Sequence, residues 1–227
     1  ARIARPIFEV FAGMKSSQPA ASEAPPIRVR LVSEQRTLSL GVDEYVTGVV
    51  AAEASVEDER EALRALAVVT RTFAAVNRGR HATEGYDFCS TTHCQRVVSS
   101  GYREAGARAV FETAGQVLQD AQGRPIDVYF HAACGGATTD IGALWGVPSA
   151  SYLRGVRDDF CAATSDHRWV DRIPERRLLS ALRSDPRTDV GTRLDGVVVI
   201  KRDASGRAEG IALEGAHRRI VRGWDFK

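Results

Sequence analysis

The sequence predicts an α+β fold, mixed helices and antiparallel β-hairpins around a catalytic cleft. Three observations carry that expectation. Short β-rich runs come in pairs around turn residues; apolar residues elsewhere recur at helical spacing; and the two kinds of segment follow one another without the regular strand-helix alternation of a parallel sheet. No internal repeat is present.

The elements follow in chain order. Met14 to Pro26, "MKSSQPAASEAPP", is Ser/Ala/Pro-rich, so residues 1–26 are expected to be an N-terminal arm or linker and residues 27–227 the folded domain. "IRVRLV" and "TLSL" form a hairpin around "SEQR". Val42, Val46, Val49 and Val50 fall at i, i+4, i+7 and i+8, which predicts a short helix from Asp43 to Ala52 with Glu53 at or just past its end. Ser55 followed by Asp58 resembles a capping box and opens a second helix, Val56 to Asn77. Its stripe is Leu63, Leu66, Ala67, Thr70, Phe73 and Ala74, with Arg64 and Arg71 along the edge. Those arginines either border the buried face as salt-bridged or snorkelling side chains, or reach a cleft. Gly101 to Ala114 is a further helix. "QVLQD" and "IDVYFHAA" flank "AQGRP" as a hairpin, "PERRLLSALRS" is a short helix opened by Pro174, and "RLDGVVVIKRDASGRAEGIALEG" is a hairpin turning at Asp203 to Gly206.

Composition narrows the function classes. At 227 residues the chain can bury an ordinary core, and with 44% hydrophobic residues, 26% charged residues and a formal net charge of +2 it is an ordinary globular protein with no electrostatic case for nucleic acid. No apolar run approaches the ~18 residues of a membrane span, and the N-terminus lacks a basic segment followed by an apolar core.

Two segments carry chemistry. "HATEGYDFCSTTHCQRV" places His81, Cys89, His93 and Cys94 close together, the donor set of tetrahedral zinc, although adjacent His93 and Cys94 need a turn to face one ion. A Cys89–Cys94 disulfide competes on equal terms. "YFHAACGGATTD" runs from a strand into Gly135-Gly136, a junction that lets backbone approach a ligand and displays His131 and Thr138; a plain glycine turn beside a core histidine accounts for the same pattern. Cys134 and Cys161 are either a disulfide or two buried thiols.

"YVTGVVAAEA", "EALRALAVVTRTFA", "DFCSTTHCQ", "YFHAACGGATT" and "YLRGVRDDFCAATSDHRW" resemble, in order, successive blocks of the SpoIID/LytB domain family, the stage II sporulation protein D-like proteins and amidase enhancers. The resemblance covers Ile27 to Trp169. It implies a protein of the cell envelope, outside the cytoplasmic membrane or secreted, that acts on peptidoglycan glycan strands as a lytic transglycosylase. It makes Glu53 the catalytic acid and base and puts Arg64 and Arg71 at two of the family's basic positions, where they are expected to bind a substrate carboxylate or orient sugar hydroxyls; His131, Gly135, Gly136 and Thr138, at the strand-to-glycine junction, are expected to contact substrate as well. It also favours a structural zinc on Cys89, His93 and Cys94, with His81 as fourth ligand. A lone glutamate suffices for such an enzyme, because the muramic acid's own C6 hydroxyl is the nucleophile, provided that apolar surroundings let the carboxyl start protonated. The alternative the family implies is a non-catalytic module that binds cell-wall glycan or enhances a cell-wall amidase. The chain departs from the pattern at "EAS" after Glu53, where "EMP" is usual, and at Leu66, where glutamine is usual. The family's C-terminal Gly/His-rich block is not found before Lys227, so part of the family domain is expected to be missing.

Overall fold

A computed structural model of the chain describes residues 25–54, 59–160 and 170–226. Residues 1–24 of the expected N-terminal arm, the Ser55–Asp58 capping box and Cys161 lie outside the described residues. Helices and small sheets mix as an α+β fold, in two compact units: the described residues up to Phe130, and those from His131 onward.

The first unit opens with strands β1 (Ile27–Leu31) and β2 (Arg36–Leu40), antiparallel in the register Ile27 opposite Leu40 and Leu31 opposite Arg36. Alternation sends Ile27, Val29 and Leu31 into the core and Arg28 out, as a period of two dictates. Helix α1 (Val42–Glu53) follows at once. Its start is fixed by Glu44, whose carboxylate accepts from the Gly41 N–H, with Asp43 and Glu44 placing negative charge in the first turn. Tyr45, Val46, Val49 and Val50 are buried, so the valine spacing read from the sequence is the core face of the helix, and Glu53 is its last residue.

Helix α2 (Arg60–Asn77) buries Leu63, Ala67, Thr70, Phe73 and Ala74 of the expected stripe, while Leu66 is half-buried. A 3₁₀ turn (Ala82–Glu84) leads to strand β3 (Phe88–Cys89), which pairs with β1 in parallel, Val29 opposite Phe88 and Arg30 opposite Cys89. The sheet order is therefore β2-β1-β3. Phe88 stacks on Tyr45 of α1 at 5.3 Å and meets Phe73 of α2 at 5.7 Å, so one phenyl ring joins sheet and both helices. Burial of a side chain of that size contributes about 1.5–3 kcal/mol. Helix α3 (Glu104–Glu112) completes a packed trio with α1 and α2.

The expected hairpin over residues 116–133 is only a tight turn with a single bridge, Gln119 to Pro125. Pro125 has no N–H to continue a ladder, and Asp120 folds back to accept from the Gln122 and Arg124 N–H groups.

In the second unit, short helix α4 (Ile141–Trp145) is capped by Asp140, which accepts from the Gly142 N–H. Helix α5 (Glu175–Arg183) has Pro174 at its N-cap. Strands β4 (Leu194–Arg202), β5 (Ala208–Gly215) and β6 (Arg219–Arg222) form an antiparallel sheet in that order; β6 was not anticipated. The β4–β5 turn is the expected one. Asp203 accepts from the Ser205 and Arg207 N–H groups and from the Thr139 hydroxyl. Burial opposes its ionisation, but the Ser205, Thr139 and backbone hydrogen bonds win and hold its carboxyl below the usual range. Leu182 of α5 packs with Val190, Ile211, Leu213 and Val221 as this unit's core.

Candidate functional site

The first unit gathers the sulfur and imidazole donors that the sequence placed near one another. Backbone pairing to β1 sets Cys89: Asp87 and Ser90 N–H groups donate to the Arg28 and Arg30 carbonyls on either side of it. A turn closed by the Cys94 N–H on the Thr91 carbonyl (3.1 Å) then brings His93 and Cys94 to the same side, which answers the difficulty of their adjacency. His81 comes from the α2–β3 connection, at the residue that opens its 3₁₀ turn. The four donor atoms lie within 4.8 Å of one another. His81 Nε2 is 3.2 Å from His93 Nδ1, and the Cys89 and Cys94 Sγ atoms are each 3.7 Å from that same nitrogen.

Those separations suit a metal. Tetrahedral zinc with bonds of about 2.3 Å to sulfur and 2.0–2.1 Å to nitrogen spaces its ligands roughly 3.3–3.8 Å apart. Cys89 and Cys94 are free thiols, not a disulfide. Burial opposes ionisation of Cys89, but hydrogen bonds from Thr91, His93 and Cys94 outweigh it and bring the thiol down to about 6. Burial, and then the neighbouring Cys89, push Cys94 up to about 11. Without a cation the pair thus holds one thiolate readily and a second reluctantly. Glu84, in the 3₁₀ turn, accepts from His81 Nδ1 at 2.5 Å and from the Tyr86 hydroxyl at 2.5 Å. That contact raises the His81 proton affinity and leaves Nε2 turned toward the thiols, the outer-shell arrangement that orients a metal-bound histidine.

The segment after Cys94 runs along α1. Gln95 is buried and accepts from the Tyr45 hydroxyl at 2.7 Å. The phenol is pushed far up by burial, then by Cys94 and Cys89, so it stays a donor. Three residues on, the Val98 N–H donates to the Gly48 carbonyl, and a Cβ at Gly48 would stand 2.7 Å from the Val98 carbonyl oxygen. Glycine there permits the approach. Between these two anchors lies Arg96, whose Nη1 is 4.0 Å from Glu53 Oε2. The Glu53 side chain is 20% exposed and that of Arg96 58%. Arg103 approaches the same helix end, its Nη1 3.5 Å from the Ala54 carbonyl oxygen.

The two arginines expected to face substrate are placed differently. Arg71 is buried, and all five of its N–H donors are engaged: two on Asp43 Oδ1, two on the Thr113 and Gln116 carbonyls and one on the Val110 carbonyl. Asp43 begins α1 and Glu53 ends it, about 15 Å apart at 1.5 Å per residue. Arg71 therefore ties the start of α1 to the end of α3. Arg64 is held by Glu61 at 3.1 Å and lies 3.8 Å from Glu112, toward which Arg60 and Arg108 also converge. In the second unit, Gly135 and Gly136 have φ of +66° and +101°, a turn that L side chains adopt only with strain. The Thr138 hydroxyl accepts from the Val156 N–H, His131 is exposed, and the Cys134 thiol donates to Asp158 at 3.3 Å.

Residues 33–119, which contain Glu53, Arg96 and the whole Cys/His cluster, match the family model described as SpoIID, stage II sporulation protein. Over that segment the chain is similar to SpoIID proteins. Its similarity to curated proteins includes an uncharacterized protein of Brachyspira hyodysenteriae, 30% identical over 125 residues, or 55% of this chain and 34% of that protein. It also includes the stage II sporulation protein D of Bacillus amyloliquefaciens, 28% identical over 160 residues, 63% of this chain and 46% of that protein. The chain thus spans less than half the length of either relative. No described helix is long and apolar enough to cross a membrane.

Within the SpoIID segment, residues that motif spacing did not reveal are Tyr45, Glu84, Gln95, Arg96 and Arg103. Glu84 left a trace, standing three residues after His81 in a Glu-Gly-Tyr turn. Arg96 left none, because its meeting with Glu53 depends on how the cluster loop lies on α1.

Proposed function

We propose that this chain cleaves peptidoglycan glycan strands outside the cytoplasmic membrane, as a lytic transglycosylase with Glu53 as its acid and base. Similarity of residues 33–119 to the SpoIID family supports a cell-wall-related role. The observation that carries the finer reading is Glu53 itself: a carboxylate with a fifth of its side chain exposed, following the apolar run Val49-Val50-Ala51-Ala52 at the end of α1, held at the end the cluster loop braces. As acid, its carboxyl gives a proton to the glycosidic oxygen as the muramic C1–O bond breaks. As base, the resulting carboxylate takes the proton of that sugar's C6 hydroxyl while its oxygen bonds to C1. The proton returns to Glu53, no water is consumed, and the product ends in 1,6-anhydromuramic acid. One carboxylate is enough for this cycle, whereas hydrolysis calls for two.

His81, Cys89, His93 and Cys94 would hold a structural zinc, which supplies fixed loop geometry and no reactive group. The chain's own residues do the rest: Gln95 and Gly48 fasten the loop to α1, and Arg71 fixes the far end of that helix. Arg64, His131, Gly135, Gly136 and Thr138 remain proposed glycan contacts.

One observation favours a second reading, a glycan-binding or amidase-enhancing module without cleavage. An arginine 4.0 Å from Glu53 is a partner for a carboxylate rather than the apolar shield that an acid needs. The two part on sacculi incubated with the protein. Soluble glycan should appear with the native chain and not with Glu53→Gln, which should still sediment with sacculi. Sedimentation without release from the native chain would select the binding module.

A further inference from the structure

We infer that the anionic groups of the substrate are taken by Arg96 and Arg103 at the Glu53 end of α1, and not by Arg64 or Arg71. The inference deepens the function proposed above and rests on it. Its first support is a count of donors. Arg71 has none left, and Arg64 is held against Glu61 and Glu112, whereas Arg96 meets Glu53 only at ion-pair distance with most of its side chain in solvent. Arg103 is likewise exposed and, among the described residues, makes one long contact, to the Ala54 carbonyl.

The second support is charge. The last turn of α1 has no basic residue of its own, so the cations at this end arrive from the cluster loop and from the N-cap of α3. A helix C-terminus presents about half a negative charge. Once Glu53 is protonated, as the first proton transfer requires, two guanidinium groups face that half charge among the described residues, and the end of the helix becomes a site for an anion. Muramic acid offers one on each sugar through its lactyl carboxylate where no peptide is attached. A carboxylate there can be bound through two parallel N–H donors, with planar guanidinium geometry. Because Gln95 and Val98 pin the backbone on both sides of Arg96, the loop is set before the ligand arrives.

The test uses Glu53→Gln, so that the strand is bound and not consumed, and measures its affinity calorimetrically for a peptide-free glycan strand with free lactyl carboxylates and for the same strand amidated. Arg96→Ala or Arg103→Ala added to Glu53→Gln should weaken binding of the free-acid strand about tenfold. Arg96→Lys should recover part of the loss, and neither alanine variant should change binding of the amidated strand. Affinities within about twofold of the parent on the free-acid strand would overturn the inference and leave the arginines as partners of the helix terminus alone. Failure of the Glu53→Gln parent to bind either strand would remove the proposed function and this inference together, while equal binding of both strands by the parent would remove only the inference.

Discussion

Arg71 illustrates how far a single residue's role depends on partners that a helical wheel cannot see. The wheel places it correctly at the edge of the buried stripe, but its five donors go to Asp43 on α1 and to carbonyls at and beyond the end of α3. The Val110 and Thr113 carbonyls stand at a helix C-terminus, where a cation adds donors and offsets the negative end of the dipole. Arg71→Ala is therefore expected to lower stability by about 2–3 kcal/mol, read as a shift in denaturant midpoint, while the folded fraction keeps its glycan affinity. Unchanged stability with lost glycan affinity would restore the substrate-facing role. Glu53 was legible in another way. Valine spacing puts Glu53 at or just past the end of α1, where it is the last residue, whereas the charge beside it comes from a segment whose path no local pattern encodes.

At the scale of elements, the cluster loop is the piece that joins the chemistry. It begins at the parallel β1–β3 pairing, collects Cys89, His93 and Cys94, and then lies along α1 through Gln95, Arg96 and Val98. Zinc bound there would brace the approach of Arg96 to Glu53. Freshly purified protein should contain about one zinc ion per chain. A chelator should lower its melting temperature, and reductant alone should not. Because the ligands must lose protons to bind, affinity should fall as pH falls. No zinc on elemental analysis, together with reductant-sensitive stability, would return the cysteines to the disulfide account. The donor set could be read from the sequence because His81, Cys89, His93 and Cys94 are neighbours in it. The hairpin expected across Gln119 and Pro125 failed because one proline interrupts the ladder, and β6 escaped notice because four residues carry too little periodicity.

At the scale of the molecule, the α+β class followed from local pattern, since each helix and hairpin announces its own period. The division into two compact units did not, because it is set by long-range packing. Glu53, the cluster and the arginines at the end of α1 all lie in the first unit and within the SpoIID segment. The central claim is therefore a claim about that unit: one glutamate cleaves a glycan strand without water. Mass spectrometry of sacculus digests made in heavy-oxygen water tests it most directly. The account predicts 1,6-anhydromuramic acid ends carrying no heavy oxygen, absent with Glu53→Gln; reducing ends labelled with heavy oxygen would contradict it.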